Sequence, residues 1–348
     1  MTITVPAHPF QHDILSEKTD NTRAFLERVQ AMIPERPDLL GPYSRRAVEY
    51  AAGIYALPLK ENGVEWIGRS ARAGALLFAN RMHGDEGCAI QLDAKTILRV
   101  TTPGDTSEAH APAWIRTMWS ALASNDPIAQ NWLAAVDEGA LQAEGIRYNA
   151  YQLPYMRFLR ALVLQDGTHE WQLEEAIEGC DADALEVPEA LDEMDHFDYP
   201  ALKACFHLLD GDSQGFENAL KDVLQSHKRY WSRKEFAMAV QGLISVPACA
   251  LRRLAVARGL NINLSSPYMP EAVWQAAPPS MLECCPYCVI PKPPEAPHCG
   301  LCGLDTLRDA PLDIATVQYR SDIRKVCSQC DFRMHELATQ CPRCRTKQ

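Results

Sequence analysis

Eight cysteines near the C-terminus are spaced as two copies of one pattern. Cys285, Cys288, Cys299 and Cys302 read C-x2-C, ten residues, C-x2-C, and Cys327, Cys330, Cys341 and Cys344 repeat it. Two residues between paired cysteines form a tight knuckle that aims both sulfurs at one ion, and two knuckles complete a tetrahedral four-thiolate shell around Zn2+. The spacing therefore predicts two structural zinc ions. A closed four-cysteine shell leaves no open position for substrate or water, so this metal would hold structure and perform no catalysis. A disulfide framework belongs to small secreted chains. Redox chemistry at C-x-x-C needs a strand-to-helix setting, whereas these knuckles sit among prolines and glycines.

Cys284 is an alternative to Cys285, giving C-x3-C, but symmetry with the second set favours Cys285. His298 and His335 lie near ligands that are already complete. Over Glu283 to Arg345 the tail resembles the double zinc ribbon family, with "CPYC", "CGLCG" and "CPRC" as the matching knuckles. Ribbons of that family bind nucleic acid, bind protein or cap a domain, so the resemblance implies a fold and leaves the task open.

The first 280 residues hold only four of the 13 cysteines and read as helix after helix. Segments such as "NTRAFLERVQAM", "SARAGALLFANRM", "LPYMRFLRALVLQ" and "SQGFENALKDVLQSHKRYW" place apolar residues at helical spacing. Asp210 to Ser213 supplies turn and capping residues, and Gly259 stands where a helix C-cap belongs. One interruption, "CAIQLDAKTILRVTT" from Cys88 to Thr102, pairs two short apolar runs about a polar centre and predicts a hairpin. No strict repeat period emerges, so irregular antiparallel helical pairs are expected. Composition changes abruptly after Trp274, at "QAAPPS". The expected organisation is an N-terminal extension over 1–20, an all-α, helical-repeat-like body over 21–280, and a small double zinc ribbon over 281–348.

Of the −11 net charge, the chain up to Ser280 carries 37 acidic and 25 basic residues, and the tail 8 and 9. An acidic body disfavours nucleic acid, because phosphates must be neutralised by Lys and Arg, and favours a basic protein partner. The first 13 residues lack a basic start followed by an apolar core, and no run approaches the roughly 20 apolar residues of a membrane span. A cytoplasmic protein without membrane association is expected.

Catalytic candidates are few. "MHGDEGC" gathers His83, Asp85, Glu86 and Cys88 but reads as a helix end with solvated acids. His110, His169, His196, His207 and His227 lack partners at metal-binding spacings, and Cys180, Cys205 and Cys249 read as small apolar side chains or inert thiols. No catalytic residue is assigned.

The informative stretch is "WQLEEAIEGCDADALEVPEALDEMDHFDYP", with eleven carboxylates and neither Lys nor Arg. Its plain reading is a solvated helix and loop. Large apolar groups interleave with the acids, however, which suits a surface that steers a basic partner and then anchors it. The expected contacts are Trp171, Glu174, Glu175, Glu178, Asp181, Asp183, Asp192, Glu193, Asp195 and Phe197.

"AVQGLISVPACALRRLAVARGLNINLSSPYMP", from Ala239 to Pro270, resembles the closing signature of the bacterial immunity protein 49 family: a small-residue helix, an "RG" stop, a short extended piece and "SPYMP". Helix order carries the likeness back to about Asn21. Ala248, Ala250, Leu251, Leu254 and Ala255 would form a core face there, with Pro267 and Pro270 fixing a turn before the last helix. The resemblance implies an antitoxin that binds a cognate toxin of an interbacterial polymorphic system and occludes its active site, without enzymatic activity. The ribbon tail departs from the usual family pattern. Its Arg320, Arg324, Lys325, Arg333, Arg343, Arg345 and Lys347 support an alternative, a zinc-ribbon adaptor for nucleic acid or the translation machinery, although each four-thiolate zinc site would carry a formal charge of about −2.

Overall fold

Helical periodicity is realised from His12 onward. In the computed structural model, which describes residues 3–83, 88–93, 96–100, 107–141, 147–165, 167–278, 324–326 and 333–335, a short strand β1 (Ile3–Thr4) leads into α1 (His12–Met32), α2 (Leu40–Ala56) and α3 (Gly63–His83). A hairpin follows, β2 (Cys88–Gln91) and β3 (Ile97–Val100), then α4 (Ala111–Ala123), α5 (Pro127–Ala134), α6 (Gln152–Leu164) and α7 (His169–Glu178). Next come α8 (Leu191–Glu193), a π turn at Met194–Asp198, α9 (Tyr199–Asp210), α10 (Ser213–Trp231), α11 (Val246–Ala257), β4 (Leu264–Ser265) and α12 (Glu271–Trp274). A separate pair of strands, β5 (Arg324–Val326) and β6 (Arg333–His335), runs antiparallel with Val326 opposite Arg333.

The body is mostly helical, as its periodicity predicts. α1 buries Leu15, Thr19, Thr22, Leu26 and Val29, a single stripe at helical spacing. α2 packs on α1 and α3, α6 on α7, and α9 on α10, each pair joined by a short connection. Small residues set the closest approaches. A side chain at Gly53 would collide with that of Thr19, and one at Gly74 with that of Thr117, so these glycines let a threonine of α1 seat against α2 and one of α4 against α3.

α4 is buried along most of its circumference, from Trp114 and Ile115 to Met118, Trp119 and Leu122. It touches α3, α5, α6 and α11 and is the hub of the body. The segment Val240–Ala257 is apolar enough over 18 residues to qualify by composition as a membrane crossing. It is interrupted at Ile244 and Ser245, however, and 61% of it is buried inside the body.

The predicted punctuation is in place. The Asp212 carboxylate accepts from the Gly215 amide at 2.9 Å to cap α10, after Gly211 ends α9 with φ +73°. Gly259 follows α11 with φ +75°. The Cys88 hairpin forms with Cys88 opposite Val100 and Gln91 opposite Ile97.

The N-terminus departs from the expected helix boundary: α1 starts nine residues before Asn21, and β1 lies parallel to β4, Ile3 beside Leu264. His8 fastens this strap through its amide and Nδ1, both 2.7 Å from Tyr268 Oη. Nothing in the sequence signals the strap, because two-residue strands carry no periodicity and their pairing spans most of the chain.

Candidate functional site: an acidic face beside an open cleft

The acidic stretch folds into several short pieces with distinct roles. In α7, Gln172, Leu173 and Ala176 face inward, while Trp171, Glu174, Glu175 and Glu178 are on the outer side. Those four stand at i, i+3, i+4 and i+7 and form one outer stripe. Trp171, with 52% of its surface exposed, sits among carboxylates on that stripe. Asp181 and Asp183 continue the exposed acidic surface beyond the helix, and Asp181 Oδ1 caps the following turn by accepting from the Asp183 amide at 3.0 Å.

The second half of the stretch turns toward the body. Arg233 donates to both carboxylate oxygens of Asp192, at 2.5 and 2.9 Å, which holds that carboxylate below its ordinary range. Glu193 is exposed and lies 3.9 Å from Arg116; Asp195 is exposed. Phe197 differs from Trp171 in being half-buried. Its ring packs edge-on against Tyr230 at 4.8 Å and His227 at 5.9 Å, with Trp231 at 6.3 Å. Of the two predicted aromatic anchors, then, one is presented to solvent and the other belongs to an aromatic cluster.

Phe197, His227 and Trp231 of that cluster form a wall of a cleft of about 760 Å³, bounded by α2, α3, α4, α6, α10, α11 and the π turn. The i+5 spacing of a π turn brings Glu193 and Asp198 to the same cleft, with Phe197 between them. Among the other residues that line the cleft, Arg45 is paired with Glu108 and Arg46 with Glu49.

Asp198 accepts a 2.9 Å hydrogen bond from Tyr151 Oη and has no ion pair among the described residues. Burial pushes its carboxyl up to about 7, with the Tyr151 bond pulling the other way, Glu193 adding to the rise and Arg116 opposing it. His227, in the aromatic cluster, lies 2.9 Å from the Gly242 carbonyl through Nε2, and burial lowers its pKa to about 4, so it is neutral at pH 7. Trp231 Nε1 is buried with no hydrogen-bond partner among the described residues.

In the sequence Asp198 is one carboxylate among eleven, with nothing to single it out, and the cleft is invisible. No local pattern joins Ser44, Arg116, Asp198 and Trp231; only the helix packing does.

Burial drives the thiols of Cys205 and Cys249 upward, and that of Cys180 to about 12, so they stay protonated. Among the described residues no group of three or more His, Cys, Asp and Glu is placed to hold a metal. The eight cysteines read as zinc ligands lie outside the described residues, as do Asp85, Glu86, Cys284 and His298.

A helical body with an exposed acidic stripe and an aromatic-walled cleft has the character of a binding protein. Residues 69–273 match the Immunity protein 49 family, more than half of the chain, and the chain belongs to that family. Immunity proteins are typically non-enzymatic, and membership implies a cognate toxin as partner. Neither the curated proteins nor the solved structures include a match to the chain.

Proposed function

We propose that this protein protects its cell from a cognate interbacterial polymorphic toxin by binding the toxin in the cytoplasm and occluding its active site. The observation that carries the reading is the outer stripe of α7, where Trp171 stands among Glu174, Glu175 and Glu178 on the surface of an immunity-family body. Exposed carboxylates raise the rate of encounter with a basic toxin, and a large aromatic side chain among them supplies the anchor that slows release. Asp181, Asp183, Asp195 and Glu193 extend the steering field; Asp192 contributes through an existing pair with Arg233.

We also propose two structural zinc ions in the tail, held by Cys285, Cys288, Cys299 and Cys302 and by Cys327, Cys330, Cys341 and Cys344. The pairing of β5 with β6 supports this, since the residues connecting those strands include Cys327 and Cys330. A ribbon presents its knuckle at such a connection.

Co-expression with the toxin encoded beside its gene should restore growth, and the two proteins should co-purify. Reversing charge at Glu174, Glu175 and Glu178 should slow association and flatten its salt dependence. Trp171→Ala should speed dissociation, with a loss that reaches about 2 kcal/mol if Trp171 is a hot spot. Absence of any protein partner, together with salt-sensitive RNA or DNA binding lost on removing residues 281–348, would replace this reading with that of a nucleic-acid adaptor.

A further inference from the structure

The geometry points to a Lys or Arg side chain of the bound toxin as the occupant of the cleft, lying along Phe197 and Trp231 with Asp198 as its counter-ion. This inference rests on the toxin-binding reading and deepens it. At about 760 Å³ the cleft is of the size of a ligand pocket, within the usual range of roughly 300–1,000 Å³.

Three features select the occupant. The first is charge. The cleft's Glu108 and Glu49 are paired with Arg45 and Arg46, whereas Asp198 has only the Tyr151 hydroxyl as a direct partner among the described residues. A half-buried carboxylate without a cation is costly to ionise, and an incoming ammonium or guanidinium removes that cost. Burial, with Glu193 adding to it, holds its pKa up at about 7, which expresses that cost.

The second feature is the aromatic wall. Phe197 and Trp231 line the cleft from one aromatic cluster, and a cation beside their rings is attracted to the ring electrons. The third is a donor. Trp231 Nε1 is buried and unbonded among the described residues, in a residue that lines the cleft, and an N–H in that state gains from any acceptor brought to it, such as a backbone carbonyl of the inserted segment. A cation next to a carbonyl acceptor is what a basic residue in a peptide segment supplies. Glu193, exposed and lining the same cleft, adds a second acid that draws such a segment there.

The test uses the full-length protein and a catalytically inactive form of the toxin encoded beside its gene. Asp198→Asn keeps an acceptor for Tyr151 and removes the charge. Gln241→Trp places a bulky plug at an exposed position on the cleft wall, away from the core. Both variants should keep the helical circular dichroism of the wild type, and each should weaken binding at least tenfold.

Wild-type affinity in both variants would overturn the cleft proposal and leave the toxin-binding reading standing on the α7 charge reversals. Weakening by Gln241→Trp alone would show the cleft occupied by something other than a cation and would equally overturn it. Failure of the wild type to bind the toxin would remove the functional reading itself, and the cleft proposal with it.

Discussion

Arg72 Nε donates to Asp126 Oδ2 at 2.5 Å, with the two side chains only 2% and 0% exposed. Asp126 also caps α5, accepting from the amides of Ile128 and Ala129 at 3.2 Å each, and Arg72 Nη1 reaches the Gln91 carbonyl at 3.2 Å. One ion pair thereby ties α3, the start of α5 and the β2–β3 hairpin to a common point. Sealed charges of this kind are stabilising only as a complete set, because each isolated partner would be a desolvated ion.

Removing one partner should therefore be severe. Arg72→Met should cost about 3–5 kcal/mol, since it strands the Asp126 charge. The double variant Arg72→Met/Asp126→Asn should lose clearly less than the sum of the single losses, because no buried charge then remains. Urea unfolding of the four proteins measures this; strictly additive losses would show that the pair is not coupled.

Asp198 should make stability depend on pH with a definite sign. Its folded pKa of about 7 lies above the ordinary carboxylate value of 3.8, so the native state keeps a proton that the unfolded chain has released. Stability from this group is intact below about pH 4 and is lost as pH rises from there through about 7. Relative to the wild type, Asp198→Asn should therefore gain stability between pH 4 and pH 8. The gain approaches a few kcal/mol, since a tenfold difference in proton affinity corresponds to about 1.4 kcal/mol. Thermal melts at the two pH values decide it, and a gap that does not change with pH would contradict the assignment.

Metal analysis of the reduced, purified protein should find two zinc ions per chain. Stripping them should unfold the tail, because ribbons of this size depend on a metal whose binding contributes on the order of 10 kcal/mol in comparable peptides. A metal content near zero, or redox-active disulfides at the eight cysteines, would refute the zinc assignment.

The helical body should fold without the tail. Arg253 already closes its end, donating to the carbonyls of Val273 at 2.6 Å, Ala276 at 2.8 Å and Ala123 at 3.2 Å. Truncation after Ser280 should leave helical circular dichroism and a cooperative melt, while Arg253→Ala should lower the melting temperature. A disordered truncation product would mean that the tail completes the core.

Residue types and their spacing were enough to read the helical class of the body, the hairpin after α3, the turns at Gly211 and Gly259 and the acidic character of the stretch from Trp171 to Pro200. All of these rest on contacts between near neighbours along the chain, where a period of 3.6 or 2 residues or a lone glycine records the local geometry directly. The family likeness at Ala239 to Pro270 was legible for the same reason, as a contiguous run of types. Other features came from packing. Trp171 and Phe197 look alike in sequence, yet one ends exposed and the other in an aromatic cluster, because α10 folds back against the π turn. The isolated carboxylate of Asp198, the unbonded Trp231 and the cleft they share exist only where α4, α6, α10 and α11 converge. Residues so far apart in the chain leave no spacing to read, since their meeting is set by which helical faces bury one another.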